Sequence, residues 1–117
     1  MRSRTAILAA LALYAIAFVR PAEAQDAQSR LWDAAISGDT AAIRKAVADG
    51  AKVDSLDTRR SRNGRLPLNW AALGNHPAAI GVLLALGAPL EAENLTGFTA
   101  LNHAAEVGSL EAARALL

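Results

Sequence analysis

The strongest constraint on this sequence is a short stretch that returns in similar form further along the chain. Residues 64–72 are Gly-Arg-Leu-Pro-Leu-Asn-Trp-Ala-Ala, and residues 97–105 are Gly-Phe-Thr-Ala-Leu-Asn-His-Ala-Ala, so each position is displaced by 33. The correspondence continues downstream, where Ile80, Leu83 and Leu84 align with Ala113, Leu116 and Leu117. A fixed period of this length indicates stacked copies of one supersecondary unit, each burying its apolar face against its neighbours.

A third copy lies upstream, with a displacement of 37 rather than 33. Its matches are Leu31, Ala34, Ala35 and Gly38 with Leu68, Ala71, Ala72 and Asn75, and Gly50-Ala51 with Gly87-Ala88. The four additional residues fall within residues 57–64, whose counterpart in the next copy is the shorter segment 94–97. Repeat proteins tolerate length changes confined to one loop, so this insertion is consistent with a common fold.

Each copy has the pattern of two short helices followed by an extended segment. In the middle copy, Pro67 suits a first helical position, where the missing N–H has no partner in any case. Residues 75–77, Asn-His-Pro, break that helix, and Gly87 ends the next one, as glycine does where φ is positive. In the third copy, we expect Ser109 to be an N-cap and Glu111 to lie near the positive end of the helix dipole.

The pattern Gly-x-x-Pro-Leu-Asn-x-Ala-Ala, followed by a break and then x-Leu-Leu-x-x-Gly-Ala, resembles the ankyrin repeat over residues 31–117. The resemblance implies an all-α ankyrin-repeat solenoid of stacked helix-turn-helix pairs with β-hairpin-like finger loops. It divides the domain, residues 25–117, into about three repeats at 29–61, 62–94 and 95–117, the last incomplete. The alternative is a tetratricopeptide-like array with a period of about 34 residues. Pro89 and the weak apolar periodicity of residues 88–94 do not suit its longer helices.

The Thr-Pro-Leu-His run that usually opens the first helix of such a repeat is altered here. The corresponding runs are Leu66-Pro67-Leu68-Asn69 and Thr99-Ala100-Leu101-Asn102, with Trp32 at the histidine position of the first copy. We expect Asn69 and Asn102 to supply part of the hydrogen bonding that the threonine and histidine of the family make.

Residues 1–24 have the composition of a secretory signal peptide. Residues 1–4 are a basic start, residues 6–19 are uncharged and apolar, and residues 22–24 form a small-x-small site. This pattern predicts cleavage between Ala24 and Gln25 and a periplasmic or secreted location. The alternative is an uncleaved signal anchor that tethers the domain to the membrane as a structural scaffold.

Charge and cysteine content exclude several classes of site. Cleavage removes Arg2, Arg4, Arg20 and Glu23, so 12 basic and 11 acidic residues fall to 9 and 10, a net charge of −1. This balance lacks the basic excess that nucleic-acid binding requires. The chain has no cysteine, which excludes disulfides and thiolate metal sites.

The sequence contains no pattern typical of catalysis. Neither a nucleophile elbow nor a phosphate-binding glycine loop is present. His76 is expected to cap or pack in the break between two helices, and His103 to be a partly exposed groove residue. With no acidic residue or cysteine at ligand spacing, the two histidines make a poor metal site. We therefore expect no metal, no cofactor and no enzymatic activity.

The resemblance implies that partners dock on a concave surface formed by the fingers and the exposed side of each first helix. By position, this surface includes Ile36 and Ser37 in the first copy, Leu56, Arg65 and Leu73 in the second, and Glu93, Leu95, Phe98, Glu106 and Val107 in the third. Leu95 and Phe98 either contact a partner or pack onto the neighbouring finger. The expected function is a non-enzymatic protein–protein interaction module of the periplasm.

The enlarged loop places four guanidinium groups close together in the sequence, at Arg59, Arg60, Arg62 and Arg65. A solvated loop is the first interpretation. An acidic protein partner is the second, since arginine pairs bidentately with carboxylates, and anionic lipid headgroups are the third.

The sequence ends at Leu117, inside the second helix of the third copy. Terminal repeats usually carry a polar outer face, whereas Ala115-Leu116-Leu117 is apolar. We expect either a fragment of a longer array, or self-association or partner docking through this end.

Overall fold

The computed structural model describes residues 21–117. This part of the chain contains six α-helices in three consecutive pairs. The pairs are α1 (Pro21–Ser37) with α2 (Thr40–Ala48), α3 (Pro67–Leu73) with α4 (Pro77–Ala85), and α5 (Ala100–Val107) with α6 (Leu110–Leu116). Asp57 and Arg65 form an isolated antiparallel β-bridge in the loop between α2 and α3. The predicted all-α solenoid of stacked helix pairs is confirmed.

The helices pack in two layers, with α1, α3 and α5 side by side in one and α2, α4 and α6 in the other. The small buried side chains of the first layer include Ala34, Ala35, Ala71, Ala72 and Ala104. The larger apolar side chains of the same core are Leu31, Ile43, Leu68, Ile80 and Leu83. Alanine lets neighbouring helix backbones approach closely, so the alanines that recur at each period allow the helix pairs to stack tightly.

Asparagine side chains cap the first helices of the second and third pairs. The Asn69 Oδ1 accepts the Leu66 N–H at 2.9 Å, and the Asn102 Oδ1 accepts the Thr99 N–H at 2.9 Å. In return, the Thr99 Oγ1 accepts the Asn102 N–H at 3.2 Å, which completes a capping box. Both asparagines therefore make hydrogen bonds of the kind expected of them from the sequence.

Asn75, in the turn between α3 and α4, caps a helix of the next pair. Its backbone is left-handed, with φ of 56°, at a position where the other two turns have glycine. Its Oδ1 accepts the Ala112 N–H at 3.0 Å and its Nδ2 donates to Glu111 at 2.8 Å. Ser109 occupies the N-cap position of α6, but its side chain makes no capping hydrogen bond. The predicted position of Ser109 at the N-cap is confirmed, but the capping hydrogen bond comes from Asn75, whose side-chain oxygen accepts the N–H that the hydroxyl would bind.

His76 packs between the first and second helix pairs. Its ring Nε2 lies 2.9 Å from the carbonyl oxygen of Ile36. A Cβ at Gly38 would lie 2.6 Å from the ring Nδ1, and one at Gly74 would lie 2.5 Å from the ring, so only glycine leaves room on either side. The expectation that His76 caps or packs in this break is met by packing.

The predicted leader lies mostly outside the described residues, which begin at residue 21. Residues 21–24 form the first turn of α1, and Ala24 and Gln25 lie within that helix. The first buried side chain of α1 is Ala27, and the Gln28 amide pairs with the backbone N–H and C=O of Lys52 at 2.8 and 3.0 Å. Within residues 21–117, no helix has the length and apolar character needed to cross a membrane.

Candidate functional site

Equivalent positions of α1, α3 and α5 carry the helical side chains predicted to contact a partner. Ile36, Leu73 and Glu106 occupy the same position in the three copies, and Ser37 and Val107 occupy the next position of their helices. Since α3 packs between α1 and α5, the first three form a row across this layer. Ile36 and Leu73 are half-buried, whereas Ser37, Glu106 and Val107 are exposed.

The enlarged loop, residues 57–65 (hereafter the arginine loop), is organised around the carboxylate of Asp57. This side chain is 1% exposed. Its Oδ1 accepts the backbone N–H and Nε of Arg59 at 3.0 and 2.9 Å, and its Oδ2 accepts the indole N–H of Trp70 at 3.0 Å. Burial alone would raise the pKa of Asp57, but the hydrogen bonds and charge of Arg59 outweigh it and lower this pKa below its usual value.

Arg59 connects the arginine loop to the first helix pair. Its Nη2 donates to the Asp33 carboxylate at 3.0 Å, and its guanidinium lies 4.9 Å from the centre of the Trp32 ring. The hydrogen bonds that it donates to Asp57, and then to Asp33, raise the pKa of Arg59 despite the opposing effect of burial. Arg59 is thus held within the molecule by Asp57, Asp33 and the Trp32 ring.

Arg65 is also held against its own domain. Its carbonyl accepts the Asp57 N–H at 2.7 Å, and its N–H donates to the Asp57 carbonyl at 3.1 Å. Its guanidinium lies 4.7 Å from the centre of the Trp70 ring, a cation–π arrangement. Arg65 therefore closes the far end of the arginine loop.

Arg60 and Arg62 project from the arginine loop. The Arg60 side chain is 57% exposed, and its nearest acidic group is Asp33 at 3.8 Å, too far for a hydrogen bond. Arg62 is exposed and has no salt bridge within the described part of the chain. Of the four guanidinium groups noted in the sequence, these two are exposed, and they make no hydrogen bond within residues 21–117.

The loop before α5, residues 94–98 (hereafter the short finger), is organised around Asn94. The Asn94 Oδ1 accepts the N–H and hydroxyl of Thr96 at 2.9 and 2.7 Å and the N–H of Phe98 at 3.1 Å. With its oxygen committed to three donors, Asn94 directs its Nδ2 to the ring Nε2 of His103 at 3.1 Å. His103 is therefore neutral, accepts at Nε2 and carries its proton on Nδ1.

His103 is 4% exposed, so the prediction of a partly exposed groove residue is wrong. It occupies the position of Trp70 one repeat later, and its ring fastens the short finger to α5 as Trp70 fastens the arginine loop to α3. Burial and, to a lesser extent, the positive charge of Arg65 lower the pKa of His103, while Glu106 acts in the opposite direction.

Leu95 and Phe98 remain open to solvent although their backbone is well connected. The Leu95 N–H donates to the Asn63 carbonyl at 2.9 Å, and the Leu95 side chain lies against Gly64. Phe98 meets the His103 ring edge-on at 5.3 Å. Even so, Leu95 is 63% and Phe98 41% exposed. Of the remaining predicted residues, Leu56 is half-buried beside Gly64 and Glu93 is exposed.

A family model for ankyrin repeats matches residues 31–117 as three copies. The chain belongs to the ankyrin-repeat family. Ankyrin repeats generally mediate protein–protein interactions, and proteins built from them are typically not enzymes. No curated protein matches the chain.

Two residues that hold the arginine loop against α1, Trp32 and Asp33, were not predicted from the sequence to belong to the candidate site. Trp32 donates its indole N–H to the Ser55 carbonyl at 3.0 Å and lies beneath Arg59, which Asp33 binds from the same helix. The signal available was the tryptophan itself, because an aromatic ring at the family's histidine position needs a polar partner for its N–H.

Among residues 21–117, no group of three or more His, Cys, Asp or Glu side chains is placed to hold a metal ion. The buried side chain of Asp57 hydrogen-bonds to Arg59 and Trp70, and the buried ring of His103, on α5, hydrogen-bonds to Asn94 of the short finger.

Proposed function

We propose that this ankyrin-repeat protein is a non-enzymatic interaction module of the periplasm or the secreted fraction, which binds a partner protein through its concave face and fingers. The observation that carries the proposal is the exposure of Leu95, Phe98 and Val107, at 63%, 41% and 52%. Exposed apolar side chains grouped on one surface mark sites of contact with another molecule.

These three residues belong to adjoining elements. Phe98 touches His103, and Val107 lies four residues after His103, on the same face of α5. Leu95 is three residues before Phe98 in the short finger. Val107 directly follows Glu106, the last member of the row formed by Ile36, Leu73 and Glu106.

A proposed cleavage between Ala24 and Gln25 is compatible with the packing of α1. The side chains of residues 22–26 are exposed or half-buried, and the core begins at Ala27. Removing residues 1–24 would therefore take away no side chain that the structure describes as buried. Mass spectrometry of the protein from fractionated cells tests this: a chain beginning at Gln25 in the soluble envelope fraction supports the location. An intact N-terminus in the membrane fraction supports the tethered scaffold instead.

Affinity capture from a periplasmic extract tests the binding function. The full chain is compared with Leu95→Ser/Val107→Ser and with the control Leu110→Ser, which changes a leucine of 55% exposure on α6. The proposal predicts a retained protein that the double variant loses and the control keeps. Equal retention by all three, or no retained protein, contradicts it.

A further inference from the structure

We infer that the partner presents an extended segment in which carboxylates stand next to an apolar side chain, bound across Arg60, Arg62 and Leu95. This inference deepens the proposed function and rests on it. It assigns the arginine loop and the short finger to one binding surface of mixed charge and apolar character.

The positive charge available to a partner is that of the exposed arginines, since the other arginines of the loop are held within the domain. Arg59 is neutralised by Asp57 and Asp33, and these two carboxylates are the acidic groups within salt-bridge distance of the arginine loop, as far as residues 21–117 show. Four guanidinium groups against two carboxylates leave two positive charges. Because Arg65 lies over Trp70, the exposed guanidinium groups that carry this excess outward are those of Arg60 and Arg62.

The apolar part of the surface adjoins that charge. The Leu95 N–H is bonded to the carbonyl of Asn63, the residue after Arg62. A Cβ at Gly64 would lie 3.4 Å from both Cγ and Cδ1 of Leu95, so the leucine side chain lies on the surface of the arginine loop. Leu95 is therefore bonded to the backbone next to Arg62, and an external segment that pairs with Arg62 meets the arginine loop where Leu95 lies on it.

A protein segment suits this arrangement better than a lipid surface. The guanidinium group of arginine binds planar carboxylates bidentately. Side chains one or two residues apart in an extended partner segment can supply two carboxylates and one apolar group to this surface. The backbone connection between the two loops and their buried hydrogen-bonded centres, Asp57 and Asn94, make the surface preorganised, which reduces the entropic cost of binding.

Selection from a random peptide library displayed on phage, against the immobilised full chain, tests the inference. The expected enriched peptides contain Asp or Glu adjacent to Leu or Phe. Their affinity is then measured for wild type, for Arg60→Ala/Arg62→Ala, for Leu95→Ser, and for the charge-matched control Arg44→Ala/Arg114→Ala, which changes two arginines on α2 and α6.

The loop double variant is expected to bind the enriched peptide roughly two- to tenfold more weakly, and to lose much of the salt dependence that wild type shows. Leu95→Ser is expected to weaken binding by a similar factor at all salt concentrations, and the control to match wild type. Circular dichroism establishes that each variant is folded.

Enriched peptides without carboxylates, or equal losses in the two double arginine variants, overturn this inference while the proposed function stands. Selection of no peptide, with binding of the chain to phosphatidylglycerol vesicles, overturns it in favour of a membrane surface. Failure of the proposed function is seen separately, as the absence of any protein in the affinity capture.

Discussion

Trp70 donates its indole N–H to the buried carboxylate of Asp57 at 3.0 Å. One repeat later the same two positions are occupied by His103 and Asn94, whose side chains face each other at 3.1 Å. The arginine loop and the short finger are thus each connected to the helix that follows by one polar pair. The direction of donation is reversed between the two, because the helix donates in the first pair and the finger donates in the second.

Trp70→Phe should destabilise the domain by about 1–3 kcal/mol, since it removes a donor from a buried carboxylate. Trp32→Phe is the matched control, because its indole donates to the neutral carbonyl of Ser55 at a half-buried site and should cost about 1 kcal/mol or less. Urea unfolding followed by circular dichroism measures both free energies. A larger loss for the Trp32 variant would contradict the role given to Asp57.

Arg59→Ala should lower the free energy of unfolding by about 2 kcal/mol or more, because Asp57 stays buried without its cationic partner. Arg62→Ala removes the same group three residues away and should change stability by less than about 0.5 kcal/mol. Thermal and urea unfolding compare the two. Equal effects would mean that Arg59 is as free as Arg62 and that the loop has no buried centre.

Stability should fall as the pH is lowered through the weakly acidic range, and His103 should cause part of this fall. The pKa of His103 in the folded protein lies below its ordinary value of 6.5, so the unfolded chain takes up protons first as the pH drops. The contribution of neutral His103 to the free energy of unfolding is fully present above about pH 6.5, and it is lost as the pH falls through the pKa of His103 in the folded protein. Asp57, whose pKa is lowered from 3.8, loses its contribution only at more acidic pH.

His103→Gln isolates this effect, because the glutamine oxygen can accept from Asn94 without titrating. Urea unfolding of both proteins between about pH 8 and pH 5 should show a smaller decrease for the variant. Parallel curves for variant and wild type would show that His103 is not the titrating group.

Asn75→Gly should cost about 1 kcal/mol, because the backbone conformation is retained while the cap on α6 is lost. Asn75→Ala should cost about 1 kcal/mol more, since alanine must also adopt a φ of 56°. Ser109→Ala should be nearly neutral, because that side chain makes no capping bond. The reverse order, with Ser109→Ala the most damaging, would return the cap to the serine; chemical denaturation distinguishes the two orders.

The helix pairs were predictable because Leu68, Ala71 and Ala72 recur at a fixed period, and burial of that stripe depends only on neighbouring copies. The extension of α1 back to Pro21 could not be predicted, since it depends on Ala27 and on the contact between Gln28 and the distant Lys52. A repeat pattern carries no record of such long-range contacts.

The candidate site was predictable by position but not by chemistry. The family resemblance identified Leu95, Phe98 and Arg65, and the enlarged loop identified the cluster of four arginines. The sequence did not show which of these arginines are held within the domain, because Arg59 binds Asp33, which lies on α1. His103 was misjudged for a similar reason. Histidine is often exposed on helices, and its burial here follows from the Asn94 amide, whose orientation three other donors determine.

Hydrogen–deuterium exchange of the full chain, alone and with the protein captured from the periplasmic extract, tests the central claim most directly. The account predicts slower exchange on binding in the arginine loop, the short finger and α5, with α2 and α4 unchanged. Protection confined to α2 and α4, with both fingers exchanging as in the free protein, would contradict it.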